Sequence, residues 1–363
     1  MESLVIRLRP SECSVSVILW YTPFLMVVVL SKKSPSAAEK DLNSIRKDRD
    51  LSFFDLVSID HVSSEDLTLL YEVARRFRDY KTYKFSFNKG SSQVNAFFEP
   101  STRTSASFDL AAKQLSMDTA GVSGNSSVSK GESYLDTVET IDAYNVKIIV
   151  IRSKESGIPE MLARHTQAAI INAGDGWHEH PTQALLDGLT MLDHFKSKDL
   201  EGKILTIVGD IIHYRPFGSL VRLAKKMNAT IRVAAPQTFL PSQVEKFGVT
   251  THYSVEEALD GADAVYVCRV KGEYGANGYI PSLREYSKMF GISRKRLDLA
   301  NKNAILMHPG PVIRDIDVHS ALAAVDEQSH ILKQVENGMA VRKALLWLLC
   351  DRVDGKTKAF ARK

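Results

Sequence analysis

Residues 146–171, VKIIVIRSKESGIPEMLARHTQAAII, contain the pattern that decides the fold. Two short apolar runs, Val146–Ile151 and Ala168–Ile171, flank a mixed segment. Strands that are apolar at nearly every position are typical of parallel sheets, because helices cover both faces of such a sheet. The alternation of short β-rich runs with helical stretches continues from about Leu51 onward and predicts an α/β protein. The other strand candidates are Val94–Phe98, Ile204–Val208, Thr230–Ala234, Ala264–Val267 and Ala304–Met307.

The length of 363 residues allows two domains, each with its own core. A polar segment, Ser197–Gly202, separates a long helical pattern from the next strand, and we place the domain boundary there. We predict two doubly wound domains, each a parallel sheet flanked by helices, over residues 51–197 and 198–337. A C-terminal helix over residues 338–352 is expected to cross back to the first domain. Apolar positions at helical spacing, expected in the core, are Phe108, Ala111, Ala112, Leu115, Leu185, Leu189 and Leu192.

The net charge and the cysteine content argue against several classes of protein. The formal charge is +4, from 47 basic and 43 acidic residues, which is too small for a nucleic-acid surface. The three cysteines lie far apart, so the sequence predicts neither a disulfide framework nor a CxxC-type zinc site. We therefore expect a protein of a reducing compartment, the cytoplasm, that binds small anionic ligands and no nucleic acid.

Residues 1–50 form an N-terminal extension with an apolar segment and a polar linker. The apolar run Ser14–Leu30 resembles a signal or anchor segment, but its 17 residues are at the short limit for a membrane span and include Pro23. We favour either an upstream start codon assigned in error or an appendage unrelated to the catalytic body, and we regard a membrane or export role as the weaker alternative. Residues 34–50 are polar and charged, which indicates a linker or a first exposed helix.

The stretch NAFFEPSTRTS, Asn95–Ser105, is the first of three motifs that follow predicted strands. An apolar strand ends at Pro100, and a hydroxyl-rich turn opens the next helix. Free amides at a helix start, hydroxyl donors and one guanidinium together suit a small tetrahedral anion such as phosphate. A capping role explains Ser101 or Thr102 alone, but it does not explain an arginine with hydroxyls on both sides.

Two further motifs carry a histidine beside proline. In GDGWHEHPTQALLDGL, Pro181 suits the first position of a helix and holds His180 at the helix start. Such a histidine often serves only as a cap, although a positive local potential would keep it neutral and able to donate to a carbonyl. In AILMHPGPVIRD, two prolines fix the carbonyls of the loop, which could hold an NH2 group or form a rigid loop without a ligand.

Together, FFEPSTRT, HPTQALLD and HPGPV resemble the motifs of the carbamoyltransferase family, in the same order and spacing. The resemblance extends from roughly Leu51 to Asp351. A lysine-bearing loop, SSVSKGES (Ser126–Ser133), resembles the aspartate branch of the family rather than the ornithine branch. The resemblance implies transfer of the carbamoyl group of carbamoyl phosphate to the α-amino group of L-aspartate, a step of pyrimidine biosynthesis.

The resemblance also implies the roles of individual residues. Those expected to bind carbamoyl phosphate are Ser101, Thr102, Arg103, Thr104, Ser127, Lys130, Arg152, His180, Gln183, Pro309 and Gly310. Those expected to bind aspartate are Lys130, Arg215, Arg269 and Lys271. The catalytic set is Arg103, Thr104, His180 and Lys130. Ser127 and Lys130 match a loop that reaches into a neighbouring subunit, which implies a homotrimer with shared active sites, with a regulatory or pathway-partner chain as an open possibility.

Three positions depart from the family pattern. Pro216-Phe217-Gly218 follows Arg215 where a small or β-branched residue and a basic residue are usual, and Lys271 stands where glutamine is usual. We expect Phe217 and Lys271 to reshape the acceptor pocket. Ser105 replaces an arginine, and its presence is expected to remove a structural ion pair.

The implied reaction requires no metal and no organic cofactor. A neutral amine attacks a carbonyl whose leaving group is phosphate, and donors from Arg103, Thr104 and His180 would stabilise the developing charge. Alternatives are a carbamoyltransferase for ornithine or another amine and a non-catalytic homologue acting as a binding protein. A dinucleotide-dependent oxidoreductase is suggested by ILTIVGD, but no GxGxxG follows that strand.

Overall fold

The computed structural model describes residues 4–6, 17–22, 25–30, 35–47, 49–123, 131–270, 280–323 and 327–355. The chain divides into two compact units, Met1–Lys47 and Asp48–Lys363. The second unit contains both parallel sheets and all three motifs.

The first unit contains a small antiparallel sheet and a helix. Its strands are β1 (Leu4–Ile6), β2 (Val17–Thr22) and β3 (Leu25–Leu30), and its helix is α1 (Pro35–Arg46). Strand β2 pairs with both neighbours, so most of the apolar run Ser14–Leu30 forms strands. The polar segment after it forms a helix, one of the two predicted alternatives, with Ala38 and Leu42 buried one turn apart. Across the described ranges, the helices are all too short or too polar to cross a membrane.

The first parallel sheet has the strand order β5-β4-β6-β7. Its strands are β4 (Ser92–Phe97), β5 (Asp118–Ser123), β6 (Ile148–Ser153) and β7 (Ala169–Asp175). The helices of this half are α2 (Ser64–Asp79), α3 (Thr102–Gln114), α4 (Tyr134–Asp142), α5 (Ile158–Ala163) and α6 (Pro181–Phe195). The winding direction reverses between β4 and β6, and ligands of open α/β sheets bind at such a switch point.

The second parallel sheet has the strand order β10-β9-β8-β11-β12. Its strands are β8 (Ile204–Val208), β9 (Thr230–Ala234), β10 (Thr250–His252), β11 (Ala264–Val267) and β12 (Ile305–Met307). Its helices are α7 (Pro216–Lys226), α8 (Val255–Leu259), α9 (Leu283–Phe290), α10 (Arg294–Leu297) and α11 (Ser320–Ala323). Here the switch point lies between β8 and β11. The prediction of parallel sheets flanked by helices is confirmed.

The final helix, α12 (Ile331–Gly355), returns to the first half and packs against α2, α3 and α6. The crossing predicted from the sequence is confirmed, but the helix begins before residue 338, where the prediction started it. Gly338 lies inside the helix, and a Cβ atom there would be 2.8 Å from Nη1 of Arg342 and 3.1 Å from Leu186. Glycine, usually a helix breaker, therefore serves close packing of α12 on α6.

Candidate active site

The hydroxyl-rich turn lies at the start of α3, after β4 and beside the first switch point. Ser101 occupies the N-cap position, but its side chain makes no capping hydrogen bond. The first turn of α3 contains no acidic residue, so no carboxylate of this turn competes with an anion for the free amides. A capping role therefore does not account for Ser101, and the turn has the features of an anion site.

Arg103 links this turn to the proline loop after β12. Its guanidinium donates a hydrogen bond to the carbonyl oxygen of Gly310. Gly310 has φ 66°, and a Cβ atom there would lie 2.6 Å from Nη1 of Arg103. Glycine is needed at this position both for its backbone conformation and for the close approach of the arginine. Burial, together with the nearby charge of Arg269, lowers the pKa of Arg103.

The proline loop is held from both sides by buried polar groups. The backbone N–H of His308 donates to Gln334 on α12 at 2.9 Å, and the N–H of Gly310 donates to Nδ1 of His308 at 2.8 Å. Asp317 is fully buried and accepts from the backbone N–H of Val270 at 3.1 Å, directly after Arg269. Asp317 also lies 3.3 Å from Nε2 of His308, so one carboxylate connects the ends of β11 and β12.

Arg152 and Arg215 converge on the carboxylate of Glu99. Nη2 of Arg215 lies 2.7 Å from Oε2 of Glu99, and Nε of Arg152 lies 3.5 Å from the same oxygen. Arg152 sits at a register shift between β6 and β7, an irregularity of the kind that redirects a side chain. Gly174, with φ 116°, leaves room for both arginines, because a Cβ atom there would lie 3.0 Å from each. Burial, followed by repulsion from Arg215, lowers the pKa of Arg152 to about 10.

His180 is the N-cap residue of α6 and is buried, with Pro181 in the first turn as predicted. Its backbone N–H donates to the hydroxyl of Ser219 at 2.9 Å. Burial lowers the pKa of His180 well below its usual value, and the charges of Arg152, Arg342 and Arg215 lower it further. The imidazole is therefore neutral near pH 7 and has one N–H to donate, which is the state that polarisation of a carbonyl requires.

The structure divides the predicted site residues into two groups. In one, Arg103 contacts Gly310 and is affected by the charge of Arg269. In the other, the charges of Arg152 and Arg215 act on His180. The side-chain amide of Gln183 donates a hydrogen bond to Asp187 at 3.0 Å. The predicted residues Ser127, Lys130 and Lys271 lie outside the described residues.

Several residues near the site were not singled out in the sequence. Glu99 and Asp187 stand inside the quoted motifs FFEPSTRT and HPTQALLD, so their positions were a signal that we did not use. Arg342 is only 6% exposed, and its Nε atom makes no hydrogen bond to any described residue. Its guanidinium lies 5.2 Å over the ring of Phe108, and burial lowers its pKa to about 10. In the sequence, the position of Arg342 within the apolar run MAVRKALL was the feature that could have indicated a buried arginine.

The residues that depart from the family pattern near Arg215 belong to the core. Pro216 begins α7, as the sequence allows, and Phe217 is 5% exposed. The rings of Phe217 and Phe247 meet edge to face, with centroids 5.8 Å apart. The side chain of Phe217 thus takes part in packing, and its effect on the acceptor pocket stays a prediction. Among the described residues, no cluster of His, Cys, Asp and Glu side chains could hold a metal ion.

The models of two domains of one known family match the two halves of the chain. The first, described as "Aspartate/ornithine carbamoyltransferase, carbamoyl-P binding domain", matches residues 55–193. The second, "Aspartate/ornithine carbamoyltransferase, Asp/Orn binding domain", matches residues 201–349. The chain belongs to the aspartate/ornithine carbamoyltransferase family. The alternative of a dinucleotide-dependent oxidoreductase is thereby excluded.

Two members of this family are similar to the chain over most of its length. The aspartate carbamoyltransferase catalytic subunit of Magnetococcus marinus is 41% identical over 303 residues, covering 81% of this chain and 92% of the relative. The protein of the same name from Desulforamulus reducens is 44% identical over 299 residues, covering 81% of this chain and 95% of the relative.

Solved structures of family members have the same fold. The catalytic subunit of M. jannaschii aspartate transcarbamoylase has a TM-score of 0.73 at 28% identity, covering 84% of this chain and all of that one. Aspartate transcarbamoylase from Trypanosoma cruzi, in complex with carbamoyl phosphate and aspartate, has a TM-score of 0.69 at 28% identity and covers 81% and 94% of the two chains.

Proposed function

We propose that this protein transfers the carbamoyl group of carbamoyl phosphate to the α-amino group of L-aspartate, giving N-carbamoyl-L-aspartate and phosphate. The observation that carries the proposal is the position of four arginines at two switch points. Arg103 follows β4 and Arg152 is the second-last residue of β6, the two strands that flank the first switch point, and Arg215 and Arg269 follow β8 and β11, which flank the second. One phosphate and two carboxylates need this number of forked cations.

In this proposal the first sheet supplies the carbamoyl phosphate site. The hydroxyls and amides at the start of α3 bind the phosphate, with Arg103 and Arg152 neutralising its charge. The carbonyl of Gly310 has two lone pairs, so it can accept from the carbamoyl NH2 while it accepts from Arg103. Gln183 supplies a further acceptor. His180, Arg103 and Thr104 direct donors at the carbamoyl oxygen.

The chemical step then depends on positioning and on charge. The amine attacks the carbonyl carbon, negative charge develops on the carbonyl oxygen, and the bond to phosphate breaks. Neutral His180 suits this step, because its N–H donates a hydrogen bond to the oxygen as negative charge develops there. Each preorganised donor of this kind typically lowers a barrier by about 3–4 kcal/mol. The departing phosphate takes the proton of the amine, so the step needs no separate general base.

The charge around the acceptor favours aspartate over ornithine. Arg215 is 9% exposed, so a carboxylate bound to its guanidinium would be largely removed from water, where a charge-assisted pair is strong. Arg269 has a buried Nε atom without a hydrogen-bond partner among the described residues, which leaves that donor for a ligand. A second ammonium group, as in ornithine, would be repelled by these cations. The relatives' names agree with an aspartate acceptor.

We also propose a homotrimer in which Ser127 and Lys130 complete the site of a neighbouring subunit. A cavity of about 700 Å³ beside the phosphate turn, lined among others by Glu99, Ser101 and Thr102, offers space for such a loop. Inactive Lys130→Ala and Arg103→Ala proteins, mixed under subunit exchange, should recover activity at about a quarter of the sites at equal mixing. Mixed oligomers that stay inactive would show that each subunit has its own complete site.

We assign residues 51–197 to carbamoyl phosphate and residues 198–337 to aspartate, with the returning helix completing the first domain. We place the protein in the cytoplasm, because carbamoyl phosphate is a labile metabolite made inside cells. In this proposal residues 1–50 take no part in catalysis, since the three motifs lie between Asn95 and Asp315.

The proposal is tested by phosphate release from carbamoyl phosphate with aspartate, ornithine and a panel of other amines. We expect release that depends on aspartate and that falls by about a hundredfold or more in Arg103→Ala. The control is Arg164→Ala, which removes an exposed guanidinium paired with Glu160 and should leave turnover unchanged. Dependence on ornithine would reassign the acceptor, and a protein that binds carbamoyl phosphate without turnover would be a binding protein.

A further inference from the structure

Asp187 is a fully buried carboxyl group on α6 that accepts hydrogen bonds from side chains of α6, α12 and β11. Its Oδ1 atom accepts hydrogen bonds from the side-chain amides of Gln183 at 3.0 Å and Gln334 at 2.8 Å. Its Oδ2 atom accepts from the hydroxyl of Tyr266 on β11 at 2.9 Å. Buried polar networks with every member satisfied hold their side chains in one arrangement.

The bond to Asp187 decides which end of the Gln183 amide is available to a ligand. A glutamine side chain has a nitrogen that donates and an oxygen that accepts. Because the nitrogen of Gln183 is bound to Asp187, its oxygen is the end turned away from the carboxyl group. Gln183 is partly exposed, so this acceptor can reach a bound ligand.

The same oxygen of Asp187 also positions the proline loop. Gln334 donates to Asp187, and its own amide oxygen accepts from the backbone N–H of His308 at 2.9 Å. The carbonyls proposed to hold the carbamoyl NH2 follow directly, at Pro309 and Gly310. One buried oxygen therefore fixes two sets of acceptors that come from parts of the chain more than a hundred residues apart.

We propose that Asp187 is a positioning residue that makes the site selective for a ligand with an NH2 group, by holding Gln183 and the proline loop as acceptors. The inference rests on the proposed role of these acceptors toward carbamoyl phosphate. It predicts that Asp187 contributes to the discrimination between carbamoyl phosphate and acetyl phosphate, which carries a methyl group in place of NH2. Asp187 contributes little to the binding of inorganic phosphate.

The proton of Asp187 does not alter this arrangement. Burial raises the pKa of Asp187 to about 7, against the lowering effect of its hydrogen bonds with Gln334, Tyr266 and Gln183 and of the charge of Arg342. In the protonated form the hydrogen sits on Oδ2, where the hydroxyl of Tyr266 can accept it while Tyr266 donates to the hydroxyl of Tyr214, 2.6 Å away. Oδ1 stays an acceptor for both amides. Asp187→Asn should behave in the same way, with its oxygen toward the two glutamines.

The test is equilibrium binding of carbamoyl phosphate, acetyl phosphate and inorganic phosphate to the full-length protein without aspartate. In Asp187→Leu, carbamoyl phosphate should bind about tenfold more weakly, whereas the other two ligands should change less than about twofold. Asp187→Asn should restore the wild-type ratio. The matched control is Tyr266→Phe, which breaks the third hydrogen bond of the same buried group and should also keep that ratio.

Equal weakening of all three ligands in Asp187→Leu would overturn the inference, because it would show a purely structural role. If Asp187→Leu does not fold, Asp187→Ser replaces it, since water can enter the space and satisfy the amides. A ratio that falls in Gln183→Met but not in Asp187→Ser would also overturn the role of Asp187. Binding is measured without aspartate, so a wild type that binds carbamoyl phosphate but does not carbamoylate aspartate contradicts only the proposed function.

Discussion

Replacing Asp187 with asparagine should change how the stability of the protein depends on pH. Folding raises the pKa of this carboxyl group from 3.8 to about 7. Its contribution to stability is therefore fully present below pH 3.8 and is lost as the pH rises toward 7, because the unfolded chain releases the proton first. Between pH 5 and pH 8 the loss amounts to about 2.5 kcal/mol in the wild type, and asparagine, which does not titrate, avoids it.

The assay is urea unfolding of both proteins at pH 5 and pH 8, at one protein concentration because oligomers gain stability by association. We expect the free energy of unfolding of Asp187→Asn, relative to the wild type, to be about 2.5 kcal/mol higher at pH 8 than at pH 5. Tyr266→Phe keeps the carboxyl group and removes one donor to it, so its pH dependence should be at least as steep as that of the wild type. Parallel pH profiles of the wild type and Asp187→Asn would refute the buried, proton-binding carboxyl group.

Three other predictions concern the acceptor, the histidine and the N-terminal unit. Arg269→Ala should raise the KM for aspartate by about a hundredfold or more while carbamoyl phosphate still binds, and equal loss of both substrates in steady-state kinetics would contradict two separate pockets. Arg342→Met should move the acid limb of the kcat profile to higher pH, because a cation that lowers the pKa of His180 is lost, whereas Lys343→Met on the same helix should leave the limb in place. Deletion of Met1–Lys47 should leave turnover unchanged, and loss of activity in the soluble, folded truncation would contradict a separate unit.

The central strands were predictable because burial on both faces makes them apolar at nearly every position. Strands Ile204–Val208, Thr230–Ala234 and Ala264–Val267 have the predicted bounds. The edge strands Asp118–Ser123 and Thr250–His252 were missed. Each pairs on one side only and contains polar residues, so its sequence lacks the continuous apolar run of a central strand.

The position of the site was predictable for a related reason. Motifs that follow parallel strands meet at one edge of a sheet, so the turn before α3 and the proline loop could be expected near each other, and Arg103 and Gly310 are in contact. The buried network behind them was not predictable. Gln334 and Asp187 are 147 residues apart in sequence, and only the return of α12 to α6 brings them together. Hydrophobic periodicity predicts such a helix, but not which of its polar residues meet.

The secondary structure of the N-terminal apolar run could not be predicted from its composition alone. Ser14–Leu30 has the apolar content of a membrane or signal segment, and most of it forms the antiparallel strands Val17–Thr22 and Leu25–Leu30. The residues Val, Ile, Leu and Tyr in this run suit a strand as well as an apolar helix, so a short run cannot decide between the two.

The identity of the product tests the central claim most directly. The protein is incubated with isotopically labelled carbamoyl phosphate and L-aspartate, and N-carbamoyl-L-aspartate and phosphate are measured together. We predict equal amounts of both products in the wild type, and initial rates of formation of both that are lower by about a hundredfold or more in Arg103→Ala. Phosphate released without carbamoyl-aspartate would mean that the site hydrolyses carbamoyl phosphate, and a labelled product on another amine in preference to aspartate would contradict the assignment of Arg215 and Arg269 to two carboxylates.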